Sequence, residues 1–203
     1  MKRRIVAVVL FAVCATPQIA RAADPRYPDW PCSQAKVPEV SLAAVWSGPP
    51  LDDIAGQWKD DPKVSALVAR ISARRTPLDE ATKAIDEFLS GATDKTRLGK
   101  LLFSGVFDTL NAQRTSVMTG LERITRKQRE AAEKIRNDSV ALQAMQSDPS
   151  HDQAKLDELG NQVGWETRIF EDRSRVIKFV CEVPTAIDQR LFALGRSIQQ
   201  DIE

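Results

Sequence analysis

From Leu51 onward, apolar residues recur every three or four positions, and no run alternates long enough to make a strand. The pattern predicts an all-α fold. Asp61 followed by Pro62 is a helix start, and Val64, Leu67, Val68 and Ile71 place one apolar face on a helix over 62–74. Thr76-Pro77-Leu78-Asp79 repeats the signal, with Thr76 as cap and Pro77 as first helical residue. The helix over 77–90 carries Ala81, Ile85, Phe88 and Leu89, and Gly91 ends it. These two short helices form an αα-hairpin.

Beyond Asp94 the period lengthens. Val117, Leu121, Ile124, Ala131, Ile135, Leu142 and Met145 step alternately by about four and three, with polar interruptions at Gln128 and Asp138. One helix over 95–147 follows, about 80 Å long at 1.5 Å per residue. Asn137-Asp138-Ser139 is a place where a second helix could restart. After the turn at 147–151, Leu156, Leu159, Val163, Phe170, Ile177 and Val180 continue the spacing over 151–183. Pro184 interrupts, and Thr185 can cap a last helix over 185–202. A five-residue turn makes the two long helices antiparallel neighbours. Counting back from that turn puts Cys181 level with about Met118. The expected architecture is a long, coiled-coil-like antiparallel hairpin, with the short αα-hairpin and the last helix packed at its base. Its distal part, about 125–175, protrudes as a two-helix arm.

The first fifty residues read differently. Lys2, Arg3 and Arg4 precede the apolar run Ile5–Val13, and Ala20-Arg21-Ala22 supplies small residues where a signal peptidase cuts. Residues 1–22 therefore read as a cleaved secretory signal, and the expected location is a Gram-negative periplasm. No later apolar run approaches the length of a membrane span. Residues 23–50 contain Pro25, Pro28, Pro31, Pro38, Pro49 and Pro50, which deny a helix its donors. They also contain Tyr27, Trp30, Val40, Val45 and Trp46, too much apolar surface to leave in water. This segment is expected to be an extended strap lying across the helices of the 51–203 domain. A recognition arm for a partner is the competing reading.

Removing the signal changes both charge and cysteine count. The whole chain has 29 basic and 28 acidic residues; without Lys2, Arg3, Arg4 and Arg21 it has 25 basic residues and a net charge of −3. That balance offers no argument for nucleic acid. Of three cysteines, Cys14 lies in the leader, which leaves Cys32 and Cys181. In an oxidising compartment an isolated pair forms one bridge, with free thiols or pairing between chains as the alternatives. The pair is not a Cys-x-x-Cys redox motif.

Candidate chemistry is thin. His151 is the single histidine and sits in the turn, so nucleophilic mechanisms and zinc sites lack their usual groups. No haem-attachment, calcium-loop or phosphate-loop motif is present. Glu80, Glu87, Glu166 and Glu171 offer carboxylates, but each also completes an ordinary amphipathic face. No catalytic residue, metal ligand or cofactor is therefore assigned. Charge is bipolar along the arm: residues 121–136 carry a local +3 and residues 146–160 a local −3. A solvated coiled-coil surface explains this, and so does electrostatic orientation of a partner.

Asp29-Trp30-Pro31-Cys32, Cys181-Glu182-Val183-Pro184 and Gln189-Arg190-Leu191-Phe192 resemble stretches in uncharacterised secreted helical proteins of Gram-negative proteobacteria. The resemblance implies a compartment and no activity. The expected function is non-enzymatic: binding or scaffolding another envelope protein, or a homodimer through the 95–183 hairpin. The alternative is a helical bundle holding an apolar or haem-like small molecule among Phe103, Phe107, Met118 and Met145.

Overall fold

A computed structural model describes residues 24–203, so the signal expected over 1–22 lies outside the described residues. Six α-helices follow one another, and no strand occurs among the described residues: α1 Leu42–Val45, α2 Pro62–Ser72, α3 Leu78–Ser90, α4 Lys95–Ser147, α5 Gln153–Val180 and α6 Glu182–Ile202. Two single 3₁₀ turns, Asp52–Ile54 and Gln57–Lys59, link α1 to α2. The all-α hairpin architecture read from the periodicity is the one present.

Local chemistry sets most boundaries. Asp61 Oδ1 accepts from the backbone N–H of Lys63 and of Val64, at 2.9 and 3.1 Å, and Pro62 takes the first helical position. Asp94 caps α4 through Arg97 N at 2.9 Å, and Asp152 caps α5 through Ala154 N at 3.0 Å. Three expected boundaries need correction. The helix expected over 62–74 ends at Ser72. Thr76 does not cap α3: Pro77 holds that position, while the Thr76 hydroxyl donates to Arg70 O at 2.8 Å and closes the α2–α3 link. The break between the last two helices falls at Cys181, so the expected 151–183 helix spans Gln153–Val180 and the 185–202 helix begins at Glu182. Pro184 is the third residue of α6, where its missing N–H has no partner to lose, and Thr185 caps nothing.

α4 runs unbroken for 53 residues, without a restart at Asn137. Its first half passes through the core of the base, where α2, α3, α6 and the strap's Val45 and Trp46 surround it. Phe103 is fully buried and stacks on Trp46 at 4.2 Å. Two glycines permit the approach. A Cβ on Gly105 would stand 2.6 Å from Val68, and one on Gly195 would stand 2.7 Å from the Val45 carbonyl and 2.9 Å from Phe103. Their helix-propensity cost of about 1 kcal/mol each is the condition for close helix contact. Val45 and Trp46 therefore belong to the base core, and the strap expected to be extended over 23–50 makes one turn of helix at α1, which blurs the division at residue 50.

Among the helices, the second half of α4 pairs with α5 alone. Gln128 reaches Phe170 O, Lys134 reaches Glu166, and the Cβ position of Gly160 lies against Leu142. Extending that antiparallel register puts Cys181 level with Thr119, one residue from the expected Met118. α5 contributes no fully buried residue over its 28 positions.

Candidate interaction face on the helical arm

The seam between α4 and α5 has two sides, and they differ. One side is covered by the strap, which descends antiparallel to α4. Asp29 accepts from Arg126 and Arg129 at 2.9 and 2.8 Å. Lys36 pairs with Glu122 at 2.5 Å and lies 4.6 Å from the Tyr27 ring centre. Pro38 O receives Arg114 at 3.3 Å, and Gln34 donates to Cys181 O. Cys32 and Cys181 are disulfide-bonded with Cα atoms 5.5 Å apart, so the expected staple joins the strap to the α5–α6 junction. Two guanidinium groups hold the Asp29 carboxyl below the usual carboxylate range.

The other side is open. Val117, Gly120, Ile124, Val176, Ile177 and Val180 line a largely apolar recess of about 420 Å³, with the charged Asp172 and Arg173 also in its lining. Through Val117 it continues into a second recess of about 360 Å³ at the α4–α6 junction, walled by Leu110, Val183 and Ile187 and edged by Ser72 and Arg190. Arg190 is spent on carbonyls, donating to Ile71 O and Thr76 O. Burial lowers its pKa, although it stays charged. On α5 the open side carries Trp165, Val176 and Phe179, exposed by 63, 58 and 76%. Val176 lines the recess, and the offsets of eleven and three residues place Trp165 close beside it and Phe179 about 60° farther round, toward the outer face of α5.

Polar groups pin the seam between these sides. Gln128 donates to Phe170 O and Ser174 Oγ, both at 3.0 Å, while its own Oε1 is buried without a partner. Farther out, Lys134 sits between Asp138 and Glu166 at 2.6 and 2.7 Å, and those hydrogen bonds raise its pKa. Such layers fix helix register at some cost in stability.

The chemical candidates do not converge. Glu80 pairs with Arg70 and Glu87 with Lys83, both on exposed faces of the base. Glu166 is held by Lys134 in the arm, and Glu171 is exposed on α5. His151 stays in the tip turn, bonded to Asp148 O at 2.7 Å, which raises its pKa. Among the described residues, no three His, Cys, Asp or Glu side chains are grouped as a metal ion requires. The pocket imagined among Phe103, Phe107, Met118 and Met145 does not exist as one cavity. Phe103 and Phe107 are base core, Met118 is buried against Arg114, and Met145 is near the tip, about 40 Å from Met118 at 1.5 Å per residue.

Two features escaped sequence reasoning. Arg114 is 3% exposed and pairs with Asp188 at 2.8 Å, joining α4, α6 and the strap. A lone charge between Leu110 and Val117 was its visible signal. The sidedness of the seam had no such signal, because it depends on where the strap lies. No known protein family, curated protein or solved structure matches this chain. Among the described residues, no helix is long and apolar enough to cross a membrane.

Proposed function

We propose that this is a non-enzymatic periplasmic protein whose arm binds another protein chain through the open side of the α4–α5 seam and scaffolds an envelope complex. The observation that carries this reading is the uncovered apolar recess from Val117 to Val180, together with the exposed Trp165, Val176 and Phe179 on α5, opposite a side that the strap already covers. A single chain gains nothing by exposing three large side chains on one helix flank, and such patches mark interaction sites. The disulfide and the signal-like leader support an oxidising location.

Photo-crosslinking in intact cells tests the reading. A benzophenone side chain at position 179 or 165 is expected to capture a protein chain, and one at Lys178, on the strap flank, is not. Equal capture from both flanks, or from neither, overturns it. Periplasmic extraction with the mature chain starting at Ala23 checks the location.

A second reading has one observation in its favour. The recess beside Leu110 and Ile187 is apolar, and Ser72 Oγ at its edge is buried without a hydrogen-bond partner. An apolar small molecule with one acceptor fits those walls, and no histidine is there to ligate a haem. Native mass spectrometry of the exported protein decides this: a bound small molecule lost on Ile187→Glu supports the reading, and a bare chain ends it.

A further inference from the structure

The open face invites a specific occupant. We infer that it seats a second copy of this chain, arm against arm and antiparallel, so that two hairpins complete one four-helix bundle. The inference rests on the reading that the open side docks a protein, and it names that protein.

Charge is the first argument. At the root of the arm, Arg123, Lys127 and Arg173 stand on or beside the open side, and none has an ion-pair partner among the described residues, while Asp172 in the same recess is already paired with Arg175. The basic residues on the strap flank, Arg126 and Arg129, are already taken by Asp29. At the tip, Asp148, Asp157 and Glu158 likewise have no basic partner among the described residues, Lys155 lying nearest Asp152. A parallel pair of arms would stack root on root and tip on tip, repelling at both ends. An antiparallel pair puts each acidic tip over a basic root.

Register is the second argument. Trp165 lies one residue beyond Glu166, which contacts Lys134, so it stands about halfway between Val117 and the tip turn. A two-fold axis there stacks Trp165 on Trp165 of the second copy. At 1.5 Å per residue, Glu158 lies about 10 Å toward the tip from that axis, and Arg173 about 12 Å toward the root. The symmetry brings the two level, twice per dimer. Arg123 falls opposite the Asp148–Asp152 turn by the same count. Val176 and Phe179 meet Ala154 and Pro149, both exposed in the single chain.

Area is the third. A strip about 45 Å long and roughly two helix diameters wide covers ~900 Å² per copy. That is the size of a standard stable interface, about 800 Å² per partner. It also supplies what the arm lacks, because two helices alone bury no α5 residue fully. The product is a bivalent rod with a base, and its apolar recess, at each end.

Light scattering on the exported, disulfide-intact chain tests this. At micromolar concentration the expected mass is that of two chains. Trp165→Glu with Phe179→Glu is expected to give one chain with unchanged helical circular dichroism. Arg173→Glu and Glu158→Arg are each expected to weaken the dimer about tenfold, since two pairs turn repulsive at once. The double variant restores it to within about twofold. One-chain mass at every concentration overturns the inference, and so does a double variant no better than the singles, which signals another face or a parallel arrangement. If a benzophenone at 179 captures a different protein while the chain stays monomeric, the self-seat fails and the docking reading survives. A monomer with no site-dependent capture ends both.

Discussion

At Phe103, α4 is walled in by α2, α6 and the strap's Trp46; at Leu142 it touches α5 and water. The same helix crosses both settings without a break. In the base, each apolar stripe meets two or three others, and side chains such as Phe103, Leu194 and Ile198 reach zero exposure. In the arm, the a and d positions meet one neighbour, and Ile135, Leu142, Leu156 and Val163 stay half-buried. Burial scales with the number of layers, so similar heptads yield less free energy in the arm. A helix can thus run from a well-buried core into a region that buries far less of its own apolar surface.

The largest effect should come from the base. Phe103→Ala removes a fully buried ring that stacks on Trp46 and is expected to cost about 3–5 kcal/mol in denaturant unfolding. A loss below about 1 kcal/mol would mean that the base is as loosely packed as the arm. The clasp between strap and helices comes next. Cys32→Ser opens a bridge spanning 149 positions and is expected to cost on the order of 2–5 kcal/mol. The melting temperature should fall by several degrees with helicity retained, and an unchanged melting curve would contradict the staple.

Smaller again is Leu142→Ala in the arm, where a half-buried side chain lies beside Gly160. Roughly 1 kcal/mol or less is expected, read as faster amide exchange near the tip with the base unaffected. Slower exchange in the tip at higher protein concentration would sharpen the contrast, since only a docked copy protects it.

The smallest effect is pH dependence at the strap's start. The Asp29 pKa is lowered by hydrogen bonds from Arg126 and Arg129, so this tie is complete above the ordinary carboxylate pKa and is lost as pH falls through the lowered value. Trp30 fluorescence in acid should report the release, and Asp29→Asn should abolish the step. The tip turn carries the opposite sign. The His151 pKa is raised by its bond to Asp148 O, so its contribution is full below the ordinary imidazole pKa and fades as pH rises through the raised one.

Much of the architecture was legible because it follows from local rules. The start at Asp61-Pro62, the caps Asp94 and Asp152, and the heptads from Val117 each constrain a few neighbouring residues. Misread boundaries came from residues that local rules leave tied. The Thr76 hydroxyl could accept from an N–H of its own helix or donate to a carbonyl, and it donates to Arg70 O. Pro184 can break a helix or open one, and here it does both: it lacks the N–H that Val180 O, four residues back, would accept, so α5 ends there and Pro184 falls in the first turn of α6. The proposed interaction face was half legible. Trp165, Val176 and Phe179 were visible as apolar residues, but their exposure was not, since heptad spacing gives the seam and says nothing about a third layer.

By itself, then, the amino-acid order determined the helices, their antiparallel pairing and the level of Cys181, because periodicity, caps and turn length act over short stretches of chain. Tertiary structure alone decided which flank of the seam the strap covers and which stays bare. It also decided that Arg114 is buried beside Asp188 and that four aromatic and methionine side chains never share a cavity. Those outcomes depend on segments 74 to 149 residues apart meeting in space, and no local pattern encodes which face they will occupy.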